Sequence, residues 1–97
     1  MTTRRRIKKE IDYIVSDLIL DCFSYANFAK NPDDAATVNI VSETLSLRNQ
    51  LRDRANHPER RSETVSVKAF YDNLARELIE RVDSGYDKLG QLAGGKE

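Results

Sequence analysis

Glycine and proline are scarce in this chain, with four glycines and two prolines among its 97 residues. Folds built from many short strands need turn residues between successive strands, and these numbers are too small for that. The scarcity therefore argues against a β-rich fold and favours a few long helices. At this length we expect one domain, which can bury a core without disulfides or metal ions.

Cysteine is limited to Cys22 and histidine to His57. A single cysteine forms no intramolecular disulfide and builds no multi-cysteine metal site. Cys22 falls among apolar residues, so we expect a buried thiol. A catalytic histidine needs a nucleophile and an orienting group nearby, and nothing in the sequence places them around His57, which we expect at the surface or at a helix end. The sequence thus predicts no enzyme, no cofactor and no metal.

Long apolar runs are also missing, and no segment approaches the roughly 18 residues of a membrane span. Instead, 39% of the residues are apolar and 33% are charged, a balance that is typical of amphipathic helices. The basic residues near the start are followed by Glu10 and Asp12 rather than by the apolar segment of a signal peptide. We expect a soluble, cytoplasmic protein with no membrane partner.

The stretch at residues 7–29 is predicted to be the central helix. Its apolar residues recur at steps of three and four, the period of one helical face: Ile7, Ile11, Ile14, Leu18, Cys22, Tyr25 and Ala29. A second apolar row, which includes Phe23, lies beside the first and makes the stripe wider than a coiled-coil seam. Such a helix needs at least two partners to cover it.

Two further helices fit the rest of the chain, which predicts an all-α fold of three long helices in an up-down-up antiparallel bundle. The predicted helices span residues 4–30, 32–55 and 63–92, followed by a disordered tail at 93–97. Asn31 as a cap and Pro32 in the first turn separate the first two helices. Ser62 or Thr64 is expected to cap the third, and Gly85 leaves open whether that helix is continuous.

Arg48 projects onto the apolar face of the second helix, where an unpaired buried charge would cost on the order of several kcal/mol. We expect a buried ion pair with an acid of the first helix, Asp21 or else Asp17. Two alternatives stay open: an anion-binding arginine in a cleft, and a side chain that extends to solvent. An active site would require both acids to converge with Arg48 in an open cavity.

Charge is unevenly distributed, although the formal net charge is zero. In an antiparallel hairpin the start of the first helix meets the end of the second, and both are basic. Arginines at a helix N-terminus oppose the helix dipole, so helix stability does not explain them. The basic pole is a candidate polyanion-binding surface made of Arg4, Arg5, Arg6, Lys8, Lys9, Arg52, Arg54, Arg60 and Arg61.

Solubility and an acidic protein partner are alternative explanations for the basic pole. Proteins that bind single-stranded nucleic acid usually interleave aromatic residues with their basic residues, and the pole does not show this pattern in the sequence. Nucleic acid is therefore a possible partner that the sequence does not favour.

Three large apolar residues fall outside the core stripe of the first helix and should be exposed: Tyr13, Leu20 and Phe28. Exposed apolar residues on one side of a helix are typical of contact with another chain. They form a candidate self-association surface, such as that of a homodimer.

A family resemblance rests on four short segments: KEIDY at 9–13, VSD at 15–17, LRN at 47–49 and NHP at 56–58. In these segments the chain resembles a family of small all-helical uncharacterised proteins from Bacteroidetes-type bacteria, over residues 7–92. The resemblance implies a helical bundle in a bacterial cytoplasm. It implies no activity, because the function of that family is unknown.

The sequence as a whole predicts a non-enzymatic interaction or structural module that self-associates or binds a protein partner. The alternative function is polyanion binding, nucleic acid in particular, through the basic pole formed by the N-terminus and residues 48–61.

Overall fold

Three long α-helices dominate the computed structural model, which describes residues 3–94. We name them α1 (Arg4–Phe28), α2 (Asp34–Asn56) and α3 (Val67–Gly94). Each helix packs against the other two, and the described part of the chain contains no strand. The predicted all-α fold of three helices is confirmed. The molecule is a rod with extents of 50 × 21 × 19 Å.

Ion pairs between α2 and α3 show that these helices run in opposite directions. Arg54 near the end of α2 pairs with Glu77 in the first half of α3 at 2.9 Å. Glu43 in the first half of α2 pairs with Lys88 near the end of α3 at 3.1 Å. The short link between α1 and α2 reverses the chain as well, so α1 and α3 point the same way.

The turn between α1 and α2 depends on Tyr25 and Asp33. The Asp33 carboxylate accepts the backbone N–H of Ala36 at 3.0 Å and caps α2. The Asp33 backbone N–H donates in turn to the Tyr25 hydroxyl at 2.8 Å, which ties the cap to α1. The prediction that Asn31 caps the helix and Pro32 lies in its first turn is wrong, because the Asp33 side chain supplies the cap.

A 3-10 turn at Pro58–Arg60 begins the connection from α2 to α3. Arg61 then stabilises the loop, since its guanidinium donates to the carbonyl oxygens of Pro58 and Val65, both at 2.8 Å. These two bonds hold the loop in a non-helical path. Arg61 therefore has a structural role that its charge alone did not indicate.

The third helix begins at Val67, four residues after the predicted start at residue 63. Its cap is Ser66, whose hydroxyl accepts the backbone N–H of Ala69 at 3.0 Å. The predicted caps Ser62 and Thr64 are wrong, because they lie within the loop, where their hydroxyls are 3.1 Å apart.

The α3 helix is continuous through Gly85 and ends at Gly94. The predicted disorder of residues 93 and 94 is therefore wrong, since both are helical. Residues 95–97 of the predicted tail lie outside the described residues.

The core is centred on the apolar stripe of α1. Ile7, Ile11, Leu18 and Cys22 are fully buried, each with at most 1% of its surface exposed. The stripe packs against both α2 and α3, which is the role that its width predicted. Within residues 3–94, no helix has the length and apolar character needed to cross a membrane.

Candidate functional site

Asp12 is the centre of an ion-pair network that links α1 to α2. Arg48 Nε donates to Asp12 Oδ1 at 3.1 Å, and Arg52 Nη1 donates to Asp12 Oδ2 at 2.7 Å. Both carboxylate oxygens are therefore occupied by arginines of α2. All three side chains are partly exposed, at 45% for Asp12, 37% for Arg48 and 30% for Arg52. The network lies at the surface of the hairpin rather than in the core.

The predicted buried ion pair of Arg48 with Asp21 or Asp17 is wrong in both partner and burial. Asp21 follows Asp12 by nine residues, or about two and a half helical turns, and so it points to the opposite side of α1. Asp17 and Asp21 lie instead near Tyr86 of α3, whose pKa their charges affect. The convergence of these two acids with Arg48 that an active site would need is not formed.

Two groups on the α1–α3 side have altered pKa values. Burial raises the pKa of the Cys22 thiol above its ordinary value of 9.0, and the charge of Asp21 raises it further. Burial likewise raises the pKa of Tyr86 above 10.0, with additional contributions from Asp21 and Asp17. Because the thiolate is the reactive form of cysteine, Cys22 is a packing residue and a poor nucleophile at neutral pH.

His57 lies at the C-terminal end of α2 among carboxylates. Its Nδ1 is 2.9 Å from Glu59 Oε2, and its Nε2 is 3.8 Å from Asp53 Oδ1. The pKa of Glu59 is lowered, mainly by a hydrogen bond with the backbone of Glu59 itself and to a smaller extent by the hydrogen bond with His57. His57 is thus part of a surface cluster at a helix end.

The predicted polyanion surface divides into two groups in the structure. One group lines a single open cleft of about 370 Å³ between the start of α1 and the end of α2. We call it the basic cleft, and its residues are Arg4, Arg5, Lys8, Lys9, Asp12 and Arg52. The start of α1 and the end of α2 therefore meet at this cleft, as the sequence predicted for their basic residues.

The remaining predicted residues lie outside the basic cleft. Arg54 turns toward α3 and pairs with Glu77, while Arg60 pairs with a carboxylate of α2 at 3.2 Å. Arg61 holds the loop before α3, and Arg6 is exposed but does not line the cleft. Helix rotation and local pairing therefore keep Arg54, Arg60 and Arg61 out of the basic cleft, and the polyanion-binding role of the whole predicted set stays a prediction.

A second surface feature is an apolar groove between α1 and α2. It has a volume of about 360 Å³, and we call it the α1–α2 groove; its residues are Phe23, Ala26, Asp34, Thr37, Val38, Val41, Ser42 and Leu45. Three of its large apolar side chains are exposed: Phe23 (52%), Val38 (64%) and Leu45 (43%). Contiguous exposed apolar surface of this kind is typical of an interaction site.

The sequence pattern placed Phe23 in the apolar stripe of the first helix, whereas in the structure its side chain is exposed in the α1–α2 groove. Phe23 lies in a row that also contains the buried residues Val15 and Cys22, and the period alone does not show where burial ends. Tyr13, Leu20 and Phe28 are exposed, but they are spaced by seven or eight residues, about 11 Å along α1. Their joint role as a self-association surface stays a prediction.

Within residues 3–94, no three histidine, cysteine, aspartate or glutamate side chains are grouped so as to hold a metal ion. Every buried side-chain nitrogen or oxygen of this region has a hydrogen-bond partner. No family model, curated protein or solved structure matches the chain. The resemblance to the bacterial helical family stays a prediction, and the two surface features are the basis for a functional proposal.

Proposed function

We propose that the protein is a non-enzymatic interaction module that associates with a second copy of itself through the α1–α2 groove. The observation that carries the proposal is the exposed apolar surface of Phe23, Val38 and Leu45. Three helices leave this side of the hairpin uncovered. A second hairpin packed there would complete a four-helix arrangement.

The outer face of α2 has the periodicity of a helix–helix seam. Residues on this face are separated by four, three, four, three and four positions: Asp34, Val38, Val41, Leu45, Arg48 and Arg52. This is the heptad spacing of helices that pair along their length. The buried residues of α2 form a separate row, so the outer face is a second stripe, in which Val38 and Leu45 are exposed while Arg48 and Arg52 contact Asp12 of α1.

Charge along this stripe favours a second copy in antiparallel orientation. Asp34 precedes Val41 by seven residues, and Arg48 follows it by seven. A two-fold axis near Val41 would place Asp34 of each copy beside Arg48 of the other, about 10 Å from the axis along α2. The apolar centres, Val38 to Leu45, would overlap. A parallel arrangement would instead bring like charges together.

Leu45→Glu tests the proposal, with Ile79→Glu as its matched control. Both residues are apolar and helical, with 43% and 48% of their surfaces exposed, but Ile79 lies on α3 outside the groove. We expect the native chain and Ile79→Glu to be dimers in sedimentation equilibrium at high micromolar concentration. Leu45→Glu should be a monomer with unchanged helicity, because a dimer of this variant would bury an unpaired charge at the interface.

A strictly monomeric native chain at these concentrations would contradict the proposal. A dimer that Leu45→Glu leaves intact would show that the contact lies elsewhere, and Leu20→Glu and Phe28→Glu would then test the surface predicted from the sequence. The bacterial cytoplasmic setting implied by the family resemblance is part of the same proposal.

A further inference from the structure

The basic cleft contains more positive charge than the surrounding residues neutralise. Asp12 is the carboxylate that lines it, and both of its oxygens already accept hydrogen bonds from Arg48 and Arg52. Two arginines against one carboxylate leave the network itself with an excess positive charge. The network therefore does not compensate the other cations of the cleft.

The four cations from α1 add to this excess. Lys8 Nζ donates to the neutral amide oxygen of Asn56 at 2.9 Å. Arg4, Arg5 and Lys9 form no ion pair within 4.0 Å with any residue in the range 3–94. Charges of one sign held this close repel one another, and an anion in the cleft would relieve that repulsion.

Helix stability does not account for these positions. The first turn of α1 contains no acidic residue, and its arginines oppose the helix dipole. The first backbone N–H groups of a helix lack acceptors within the helix and attract anions. At α1 the backbone N–H of Arg6 is already capped by the Thr3 hydroxyl at 3.3 Å, and neither residue lines the cleft. The attraction of the basic cleft for phosphate therefore rests on the cationic side chains from two helices.

Tyr13 supplies an aromatic surface next to the cleft. Its side chain is 73% exposed and lies one helical turn beyond Lys9. A shallow groove lined by Lys9, Glu10, Asp12, Tyr13 and Ser16 shares Lys9 and Asp12 with the basic cleft, so the two are adjacent. Aromatic residues are not interleaved with the basic residues in the sequence, but the exposed Tyr13 ring lies beside the basic cleft.

We propose that the basic cleft binds the phosphate backbone of single-stranded nucleic acid, with one base stacked on Tyr13. A cationic groove beside an exposed ring is the arrangement that such ligands need, because phosphates pair with the cations and any base can stack. In a duplex the bases are already stacked on each other and do not reach the Tyr13 ring. Because the basic cleft lies at the start of α1 and Tyr13 lies further along it, the bound nucleic-acid strand runs from the start of α1 toward the middle of that helix.

The charge contribution is tested with Arg5→Gln/Lys9→Gln and a control of equal charge, Lys68→Gln/Arg76→Gln on the exposed side of α3. Fluorescence anisotropy measures the affinity for a labelled oligothymidylate of about 12 nucleotides at several salt concentrations. We expect the cleft variant to bind at least about tenfold more weakly. Its slope of log affinity against log salt should be shallower by about 1.4, the value for two lost phosphate contacts.

The stacking contribution is tested with Tyr13→Ala and Tyr13→Phe, with Phe28→Ala as control because Phe28 is an exposed aromatic residue on the same helix. Loss of a stacked base weakens binding by about tenfold. We expect this loss in Tyr13→Ala with an unchanged salt slope, and native affinity in Tyr13→Phe and Phe28→Ala.

Three results would overturn the proposal: no binding of the oligonucleotide at low salt, an equal loss in the two double variants, or tighter binding of a duplex that is insensitive to Tyr13. Misfolding is separated from loss of binding by thermal unfolding. Arg5→Gln removes a charge that opposes the α1 dipole, so the melting temperature of the cleft variant should not fall.

Discussion

The partner of Arg48 was decided by the register of the α1–α2 hairpin. Residue 31 lies near the middle of the turn, and Arg48 follows it by 17 residues. Counting back the same distance along α1 gives a position close to Asp12 and more than one turn away from Asp21. The sequence contained this information, but the prediction relied on closeness to the apolar stripe and so selected the wrong acid.

Cys22 and Tyr86 should make the protein less stable at alkaline pH. Their pKa values are raised in the folded state, so the unfolded chain loses its protons first as the pH rises. The contribution of each group to the stability of the fold is complete below its ordinary pKa, which is 9.0 for Cys22 and 10.0 for Tyr86. It is lost as the pH rises through the higher pKa of the folded state. The physical cause is mainly burial, which disfavours the charged forms.

We therefore expect the free energy of unfolding in urea to fall as the pH is raised from about 8 to about 11. Tyr86→Phe removes one of the two groups and should make this fall less steep. Tyr13→Phe, which changes an exposed tyrosine, should keep the native profile. A flat native profile over this range would contradict the assigned burial of both groups.

At the scale of the helix, Gly85 explains how α1 and α3 approach each other. A Cβ atom at this position would lie 2.6 Å from Leu18 Cδ2, which is closer than two carbon atoms can pack. Leu18 is itself buried, with 1% of its surface exposed, so it has little room to move. Glycine is therefore used here for a close approach and not for a bend, since α3 continues through it.

Gly85→Ala and Gly90→Ala should change stability in opposite directions. Alanine favours a helix over glycine by up to about 1 kcal/mol at either position. At Gly85 the clash with Leu18 costs about 1–3 kcal/mol, so we expect a net loss of about 1 kcal/mol. At Gly90 a Cβ meets no atom within 4 Å, so we expect a gain. Urea unfolding measures the free energy of unfolding of both variants. An equal gain in stability for the two would show that the Leu18 side chain moves aside at little cost.

Helix ends were harder to predict than helix centres. Residues 62–66 include Ser62, Thr64 and Ser66, each of which is chemically able to cap a helix. The bonds of Arg61 to the loop carbonyls keep the chain non-helical until Ser66. The cap signals in the sequence led to the prediction of Ser62 or Thr64, whereas contacts within the folded loop place the cap at Ser66.

At the scale of the whole molecule, the two proposed surfaces lie toward opposite ends of the α1–α2 hairpin. Val41, the centre of the proposed dimer contact, lies roughly level with Asp21 of α1, whereas Arg5 is about 24 Å further along that helix. An antiparallel dimer about Val41 would leave Arg4, Arg5, Lys8 and Lys9 of the basic cleft outside the contact. Arg52 belongs to both surfaces and would lie at the end of the contact, about 16 Å from the axis along α2. Leu45→Glu should therefore abolish self-association and leave oligonucleotide binding intact, which keeps the two proposals separately testable.

Self-association should also make thermal stability depend on protein concentration. A dimer that forms only from folded chains raises the melting temperature as concentration increases. We expect this rise for the native chain and for Ile79→Glu in scanning calorimetry. The melting temperature of Leu45→Glu should stay constant across the same concentrations, and a rise in that variant equal to the native one would contradict the proposed contact.

The sequence by itself determined the three helices, their order and the buried face of α1. These properties depend on the spacing of apolar residues within a few turns and on the short link at residues 29–33, which are local features of the chain. Only the tertiary structure decided that Asp12 binds Arg48, that Phe23 stays exposed and that Arg54 turns toward α3 and away from the basic cleft. Such pairings depend on the rotation and register of one helix against another, which the packing of the whole core sets together.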